Sequence, residues 1–173
     1  MPIDPQKLTI VHYPASVLRG KAKPLTQIND EVRAVAVRML VLMHEAPGVG
    51  LAAPQVGLPW RLFVANPTGQ PEDDLVFINP VLSNPTREVS DYEEGCLSLP
   101  DIRATIRRPK GISVTALDLA GKTFTLTSDE LAARVWQHET DHLDGVLILD
   151  RMTEMDRRAC RKAIKGLEDS GAK

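Results

Sequence analysis

The sequence is poor in everything that would anchor, export or cross-link it. Its 173 residues include two cysteines, Cys96 and Cys160. Two can form one disulfide at most, which excludes a densely stapled secreted scaffold; a cytosolic enzyme carries as many when only one of them matters. The first residues, MPIDPQKLTI, lack a basic region followed by an apolar run and a small-residue cleavage site, so no targeting segment is expected. The longest mostly apolar stretch, residues 34–43, is interrupted by Arg38 and is far too short to span a bilayer. Lys plus Arg total 21 against 23 Asp plus Glu, a net charge of −2. The chain as a whole therefore has no basic footprint for DNA. It has no internal repeat, low-complexity segment or linker, and its prolines are scattered as in a protein with many short loops. The expectation is a cytoplasmic protein, or an organellar one trimmed of its presequence.

What is present is an ordinary globular composition, 43% hydrophobic and 25% charged. This length is enough for one domain, 1–173, that buries roughly 70% of its unfolded surface. Three segments have helical spacing. Residues 30–45 carry Val32, Val35, Ala36, Met39, Leu40 and Met43 on one face, with Asn29 or Asp30 as cap and Pro47-Gly48 as stop. Residues 128–143 follow a Thr127/Glu130 capping box and end before Gly145. Residues 154–167 put Met155, Ala159, Ala163, Ile164 and Leu167 on a narrow stripe beside Arg157, Arg158, Arg161, Lys162 and Lys165. Between the first two helices, residues 61–65, 75–79, 104–107, 111–117 and 123–126 have strand composition, with Ala120-Gly121 as a hairpin turn and 146–149 as a further strand. Strands clustered between helices predict an α+β fold.

The second helix carries chemistry. His138-Glu139-Thr140-Asp141-His142 reads H-E-x-x-H. Residues four apart on a helix share a face, so both imidazoles reach one metal ion, and the Glu beside the first can take a proton from water without being a ligand. A catalytic site needs a third protein ligand. Downstream candidates are Asp144, Asp150, Glu154 and Asp156; the upstream candidate is Cys96 in Glu94-Gly95-Cys96-Leu97-Ser98. A thiolate suits a borderline metal better than a surface carboxylate, although a free cysteine is most often a small core residue. A third segment, Gly48-Val49-Gly50-Leu51-Ala52-Ala53-Pro54-Gln55, is either a turn that another element approaches closely or a plain helix-terminating loop. It is not a phosphate loop, because no G-K-[ST] follows.

Together the three segments resemble the peptide deformylase family, whose pattern is G-x-G-x-A-A-x-Q, E-G-C-L-S and Q-H-E-x-D-H; here these are residues 48–55, 94–98 and 137–142. The resemblance implies sheets, mixed or antiparallel, surrounding a central H-E-x-x-H helix. It implies removal of the formyl group from the N-terminal formyl-methionine of nascent proteins by a metal-bound hydroxide. Carried over by position, Cys96, His138 and His142 are the metal ligands and Glu139 is the general base and acid. Gln55 and the Leu97 N–H stabilise the developing oxyanion, and Gly50 with its neighbours Val49 and Leu51 borders the substrate, as do Glu94 and Gly95. The resemblance implies Fe(II) in the cell, with Ni, Co or Zn as substitutes; the ligands themselves suit Zn and Fe(II) alike.

A methionine side chain requires an apolar pocket, for which Val49, Tyr92, Leu131 and Val135 are candidates. Arg134 stands where the family often has an apolar residue, and is expected to rim the pocket with its stem or reach solvent. Arg103 matches a family arginine; its simpler role is an ion pair with the Glu93/Glu94 segment. The basic terminal helix is a candidate ribosome contact or a solvated charged face. Competing readings are an H-E-x-x-H metallopeptidase, which needs a downstream ligand, and a non-catalytic metal-binding module, which needs a fourth one.

Overall fold

The computed structural model describes residues 2–171. It is α+β, as expected. Strands β1 (Gly50–Ala52), β2 (Leu62–Ala65), β3 (Leu75–Ser83), β6 (Ile112–Leu117) and β7 (Thr123–Ser128) form one sheet in the order β1-β2-β3-β6-β7. Strands β4 (Val89–Cys96) and β5 (Leu99–Pro109) form a separate two-stranded ribbon. All these pairings are antiparallel.

Helix α1 (Asp30–Glu45) has the predicted bounds. Asn29 Oδ1 accepts from Val32 N at 3.0 Å, and Val35, Ala36, Met39 and Met43 are fully buried against β1 and β2 residues such as Leu51 and Val64. Helix α2 (Leu131–Leu143) is shorter than predicted. Thr127 is not its cap. Its hydroxyl meets Ser113 Oγ across the sheet at 2.8 Å, so the cross-strand bond has taken the group that the capping box required. The C-terminus does close on Gly145 (φ 74°): Gly145 N donates to His142 O and Val146 N to Asp141 O. The inward face of α2, with Ala133, Val135, Trp136 and Leu143, packs on Phe63, Phe77 and Val114. Phe63 and Phe77 stack at 4.5 Å, and Trp136 lies 6.2 Å from Phe77. Each such ring, fully buried, contributes about 2–3 kcal/mol.

The predicted strand at 146–149 is instead the approach to a one-turn helix, α3 (Ile148–Arg151). Its apolar run is buried among Leu18, Leu99 and Ile106, and periodicity cannot separate a short buried helix from a strand. The predicted terminal helix is two: α4 (Glu154–Ala159) and α5 (Arg161–Gly171). At the junction Cys160 has ψ −2°, away from the helical value of about −42°. Its thiol meets the Arg103 carbonyl of β5 at 3.4 Å, and the bend keeps Ala163, Ile164 and Leu167 on the same core cluster. β1 and β4 carry no strand pattern in the sequence. β1 is three residues long, and β4 reads V-S-D-Y-E-E-G-C, too polar to look like a strand because most of it is exposed.

Candidate active site

Three elements converge on one point. Helix α2 presents His138 and His142 on one face, their Nε2 atoms 3.2 Å apart. The end of β4 presents Cys96, whose Sγ lies 3.3 Å from His142 Nε2. A register shift between Gly95 and Cys96 swings the cysteine out of the ribbon's regular pairing. One ligand atom from each of the three lies within 4.8 Å of the others. Two nitrogens at about 2.05 Å from a common ion, at the tetrahedral angle, stand roughly 3.3 Å apart, so the donor set fits a divalent metal. The electrostatics fit as well. Burial holds His142 well below its ordinary value, leaving a neutral ring with a free lone pair. Burial also works against a charged His138, but hydrogen bonds to Cys96 and Glu94 outweigh it and push the group up to about 10. A metal held at His138 Nε2 takes the place of that proton, because a ligating imidazole is neutral at its donor atom.

The downstream acids proposed as alternative ligands are engaged elsewhere. Asp144 pairs with Arg61, Asp150 with Arg19, Glu154 with Arg158, and Asp156 accepts from Thr153. That removes the third ligand which the metallopeptidase reading requires. No fourth Cys, His or acid joins the group among the described residues, against a closed four-ligand module.

Glu139 is buried beside the ligands, and its Oε2 has no hydrogen-bond partner among the described residues. Burial raises its carboxyl to about 7, partly opposed by the charge on His138. A group titrating near neutrality with an unused oxygen is suited to accept a proton and return it. Gly50 faces it: a Cβ there would stand 2.4 Å from Glu139 Oε1, so only glycine leaves room for this carboxylate. The G-x-G segment is therefore a close approach, by β1 to α2.

Gln55 lies in the short 3-10 turn Ala53–Val56 and is almost fully buried. Ala52 N donates to its Oε1 at 2.8 Å, which fixes the amide. Its Nε2 is then directed at Ser98 Oγ (3.2 Å) and Cys96 Sγ (3.5 Å). Leu97 follows the cysteine and packs against Gly48, where an added Cβ would meet Leu97 Cδ1 at 2.8 Å.

A cavity of about 810 Å³ opens over this centre. Val49, Gly50, Tyr92, Glu94, Gly95, Leu97, Arg103, Leu131 and Val135 all line it, with Gln55, Cys96, His138 and Glu139. Three expectations change. Leu51 does not line the cavity; in β1 its side chain alternates away into the core and is fully buried. Glu94 is more than a wall residue. Its carboxylate receives Arg108 Nε (2.7 Å) and Nη2 (2.9 Å) and Arg134 Nη1 (2.7 Å), and meets His138 Nδ1 at 2.9 Å. Burial alone would raise this acid, but the bonds from His138 and Arg108 hold it well below the carboxylate range. It orients the His138 ring so that Nε2 faces the metal position. Arg134 neither reaches solvent nor offers only its stem: it is 8% exposed and its guanidinium is held on Glu94. Arg103 is exposed at the cavity rim, 3.9 Å from Glu93, as its simpler reading held.

Arg108 was missed. It is 3% exposed and joins Glu94 to Asp141 (2.8 Å), which Arg151 also grips. One arginine of three in the run R-A-T-I-R-R-P carries no sequence signal that singles it out for this role. Removing one member of such a buried network strands charge and costs about 3–5 kcal/mol. Cys160, the second cysteine, is a free thiol, as is Cys96.

Comparison with known proteins accords with this geometry. The family model described as polypeptide deformylase matches residues 7–158. The chain is 42% identical to the peptide deformylase of Acidobacterium capsulatum, covering 94% of this chain and 96% of that one. It is 38% identical to peptide deformylase 1B, chloroplastic/mitochondrial, of Arabidopsis thaliana, covering 93% of this chain but only 60% of the longer plant protein. Crystals of the Plasmodium falciparum peptide deformylase contain a similar fold, with a TM-score of 0.90 at 33% identity over 94% of this chain and 96% of that one. With its three motifs assembled around one metal-competent centre, the chain belongs to the peptide deformylase family.

Proposed function

We infer that this chain is a metal-dependent hydrolase that removes the N-terminal formyl group from formyl-methionine peptides, releasing formate and a free amine. The carrying observation is the convergence of Cys96, His138 and His142 beside a buried carboxylate with one unpartnered oxygen, on the wall of a cavity large enough for a peptide end. Bound at this donor set, a divalent ion supplies a Lewis acid that makes water acidic near neutral pH. The residues do the rest. Glu139 takes a proton from the water that adds to the formyl carbon, and returns it to the amine nitrogen as the C–N bond breaks. Charge grows on the formyl oxygen, where the Gln55 amide and the Leu97 N–H each contribute about 3 kcal/mol. Gly50 keeps Glu139 in reach, and Glu94 holds His138 in its tautomer. Val49, Tyr92, Leu131 and Val135 supply the apolar surface for the methionine side chain, with the segment at Glu94 and Gly95 and Arg103 bordering the chain beyond it.

The chain acts as one catalytic domain. The family resemblance assigns Fe(II) as its metal in the cell, and soft thiolate with imidazole accepts Ni, Co or Zn as substitutes. No helix among the described residues is long and apolar enough to cross a membrane. The substrate is the nascent polypeptide, in the cytoplasm or an organelle. Arg157, Arg158, Arg161, Lys162 and Lys165 are all exposed on α4 and α5, which supports a contact with ribosomal RNA. The decisive test is formate release from a formyl-Met peptide by the metal-loaded protein and by Glu139→Ala. Retained metal with at least a hundredfold lower turnover in the variant is expected; no formate from the loaded wild type would overturn the reading.

A further inference from the structure

The metal ligands come from two parts of the protein that pack in different hydrophobic clusters. The histidines ride on α2, whose apolar face belongs with Phe63, Phe77 and Val114 of the large sheet. The cysteine rides on the β4–β5 ribbon, whose apolar face of Leu99, Ile102, Ala104 and Ile106 packs with Leu18, Ile148 and Leu149. Apolar packing inside either cluster does not set the distance from Cys96 to the imidazoles. Polar ties across the gap help to set it.

Arg134 makes the densest of these ties. It stands one helical turn before His138, on the same face of α2. Its Nη1 donates to Glu94 Oε1 at 2.7 Å and to the Ile106 carbonyl at 3.0 Å. Its Nη2 donates to the Ser90 carbonyl at 2.8 Å and to Ser90 Oγ at 2.9 Å. One planar guanidinium thus grips both strands of the ribbon, and the Tyr92 ring covers it at 5.4 Å. Arg108 makes the complementary tie from β5 to Asp141, on the other side of His138. Arg134 and His138, whose Nδ1 meets Glu94 Oε2 at 2.9 Å, both tie α2 to β4, the strand that ends in Cys96, and Arg134 does so at Ser90 as well as at Glu94.

We propose that Arg134 is a positioning residue of the metal centre: by clamping β4 to α2 it sets the separation of the Cys96 thiolate from the two histidines. The proposal rests on the metal-dependent reading of the site. Lysine cannot replace this fork, since its donors radiate from one compact nitrogen, whereas Nη1 and Nη2 stand apart and reach acceptors on both strands at once.

The test uses the full chain loaded with Co(II), comparing wild type with Arg134→Lys and Arg134→Met. Readouts are the visible absorption of the cobalt centre, the rate of metal loss to a chelator, and kcat and KM for a formyl-Met peptide. Wild type should show thiolate-to-cobalt charge transfer. Both variants should shift the cobalt bands, lose metal at least about tenfold faster and lower kcat more than KM, Arg134→Met the more severely. Methylguanidine added to Arg134→Met should recover part of the wild-type spectrum. Unchanged spectra and metal-loss rates, with only a lower Tm, would overturn the proposal, because a merely structural clamp leaves the ligand field alone. Absence of the charge-transfer band in wild type would instead overturn the metal reading beneath it. Arg134→Lys keeps the charge and most of the volume, so the comparison survives if Arg134→Met fails to fold.

Discussion

Replacing Gly50 by alanine adds a single methyl group at the closest approach in the site. The added Cβ would stand 2.4 Å from Glu139 Oε1, 2.8 Å from Cδ and 2.9 Å from Cγ. Carbon contacts are comfortable at about 3.5–4.0 Å, so the carboxylate must retreat by roughly 1 Å. Gly50 is not at a positive φ, so alanine meets no backbone strain and the steric effect stands alone. A reacting group misplaced by about 1 Å costs on the order of 100-fold, or about 2.7 kcal/mol of activation free energy. Overpacking the buried strand adds about 1–3 kcal/mol of lost stability. Steady-state formate release should therefore show kcat down about 100-fold, with KM changed far less and metal stoichiometry intact. A double-mutant cycle sharpens the test. Glu139→Asp withdraws the carboxylate by one methylene, so adding Gly50→Ala to it should cost much less than Gly50→Ala alone. A folded, metal-loaded Gly50→Ala enzyme within threefold of wild-type kcat, or strict additivity in the cycle, would refute the idea that this glycine makes room for the proton acceptor.

Three further outcomes follow from the same geometry. The Glu94 carboxyl is held below its unfolded value of 4.5 by its hydrogen bonds, so the stability it contributes is present above about pH 4.5 and is lost as pH falls below it. Denaturant melts with chelator present should weaken from pH 5 downward, and less steeply in Glu94→Gln; identical slopes would contradict this. Glu139 works as its anion, and burial, partly offset by the charge on His138, raises its carboxyl to about 7. kcat/KM should therefore rise with pH along an acid limb at or below about 7, and a limb above pH 8 would exclude this group as the base. Leu131 is 41% exposed at the cavity wall, so Leu131→Trp should raise KM for formyl-Met peptides several-fold with little loss of Tm; an unchanged KM removes it from the side-chain pocket.

The local chemistry was legible because it is written at short range. Helical spacing alone aligns His138 with His142, and the cap and stop signals of α1 are adjacent to the segment they bound. The G-x-G segment and Cys96 could each be noticed, but their partners could not be read from the residues themselves. Where a local signal had a competitor in space it failed: Thr127 gave its hydroxyl to Ser113 rather than to α2, and the apolar run before Asp150 turned into a helix under burial. Arg134 departs furthest from its local signal. A long basic side chain on an exposed-looking turn is usually solvated, and only the β4–β5 register reveals that a carboxylate 40 residues earlier waits beneath it.

By itself the sequence determined the kind of chemistry: a thiol, two imidazoles and a carboxylate, in motifs whose joint occurrence identifies the family. Tertiary structure alone decided that these groups meet, that Gly50 faces Glu139, and that a buried array of Glu94, Arg108, Arg134 and Asp141 holds the histidines. The physical reason is range. Helical periodicity and capping act within a few residues and leave a mark on the local sequence. A salt bridge between residues 40 apart is fixed by strand register and close packing, which no local pattern records.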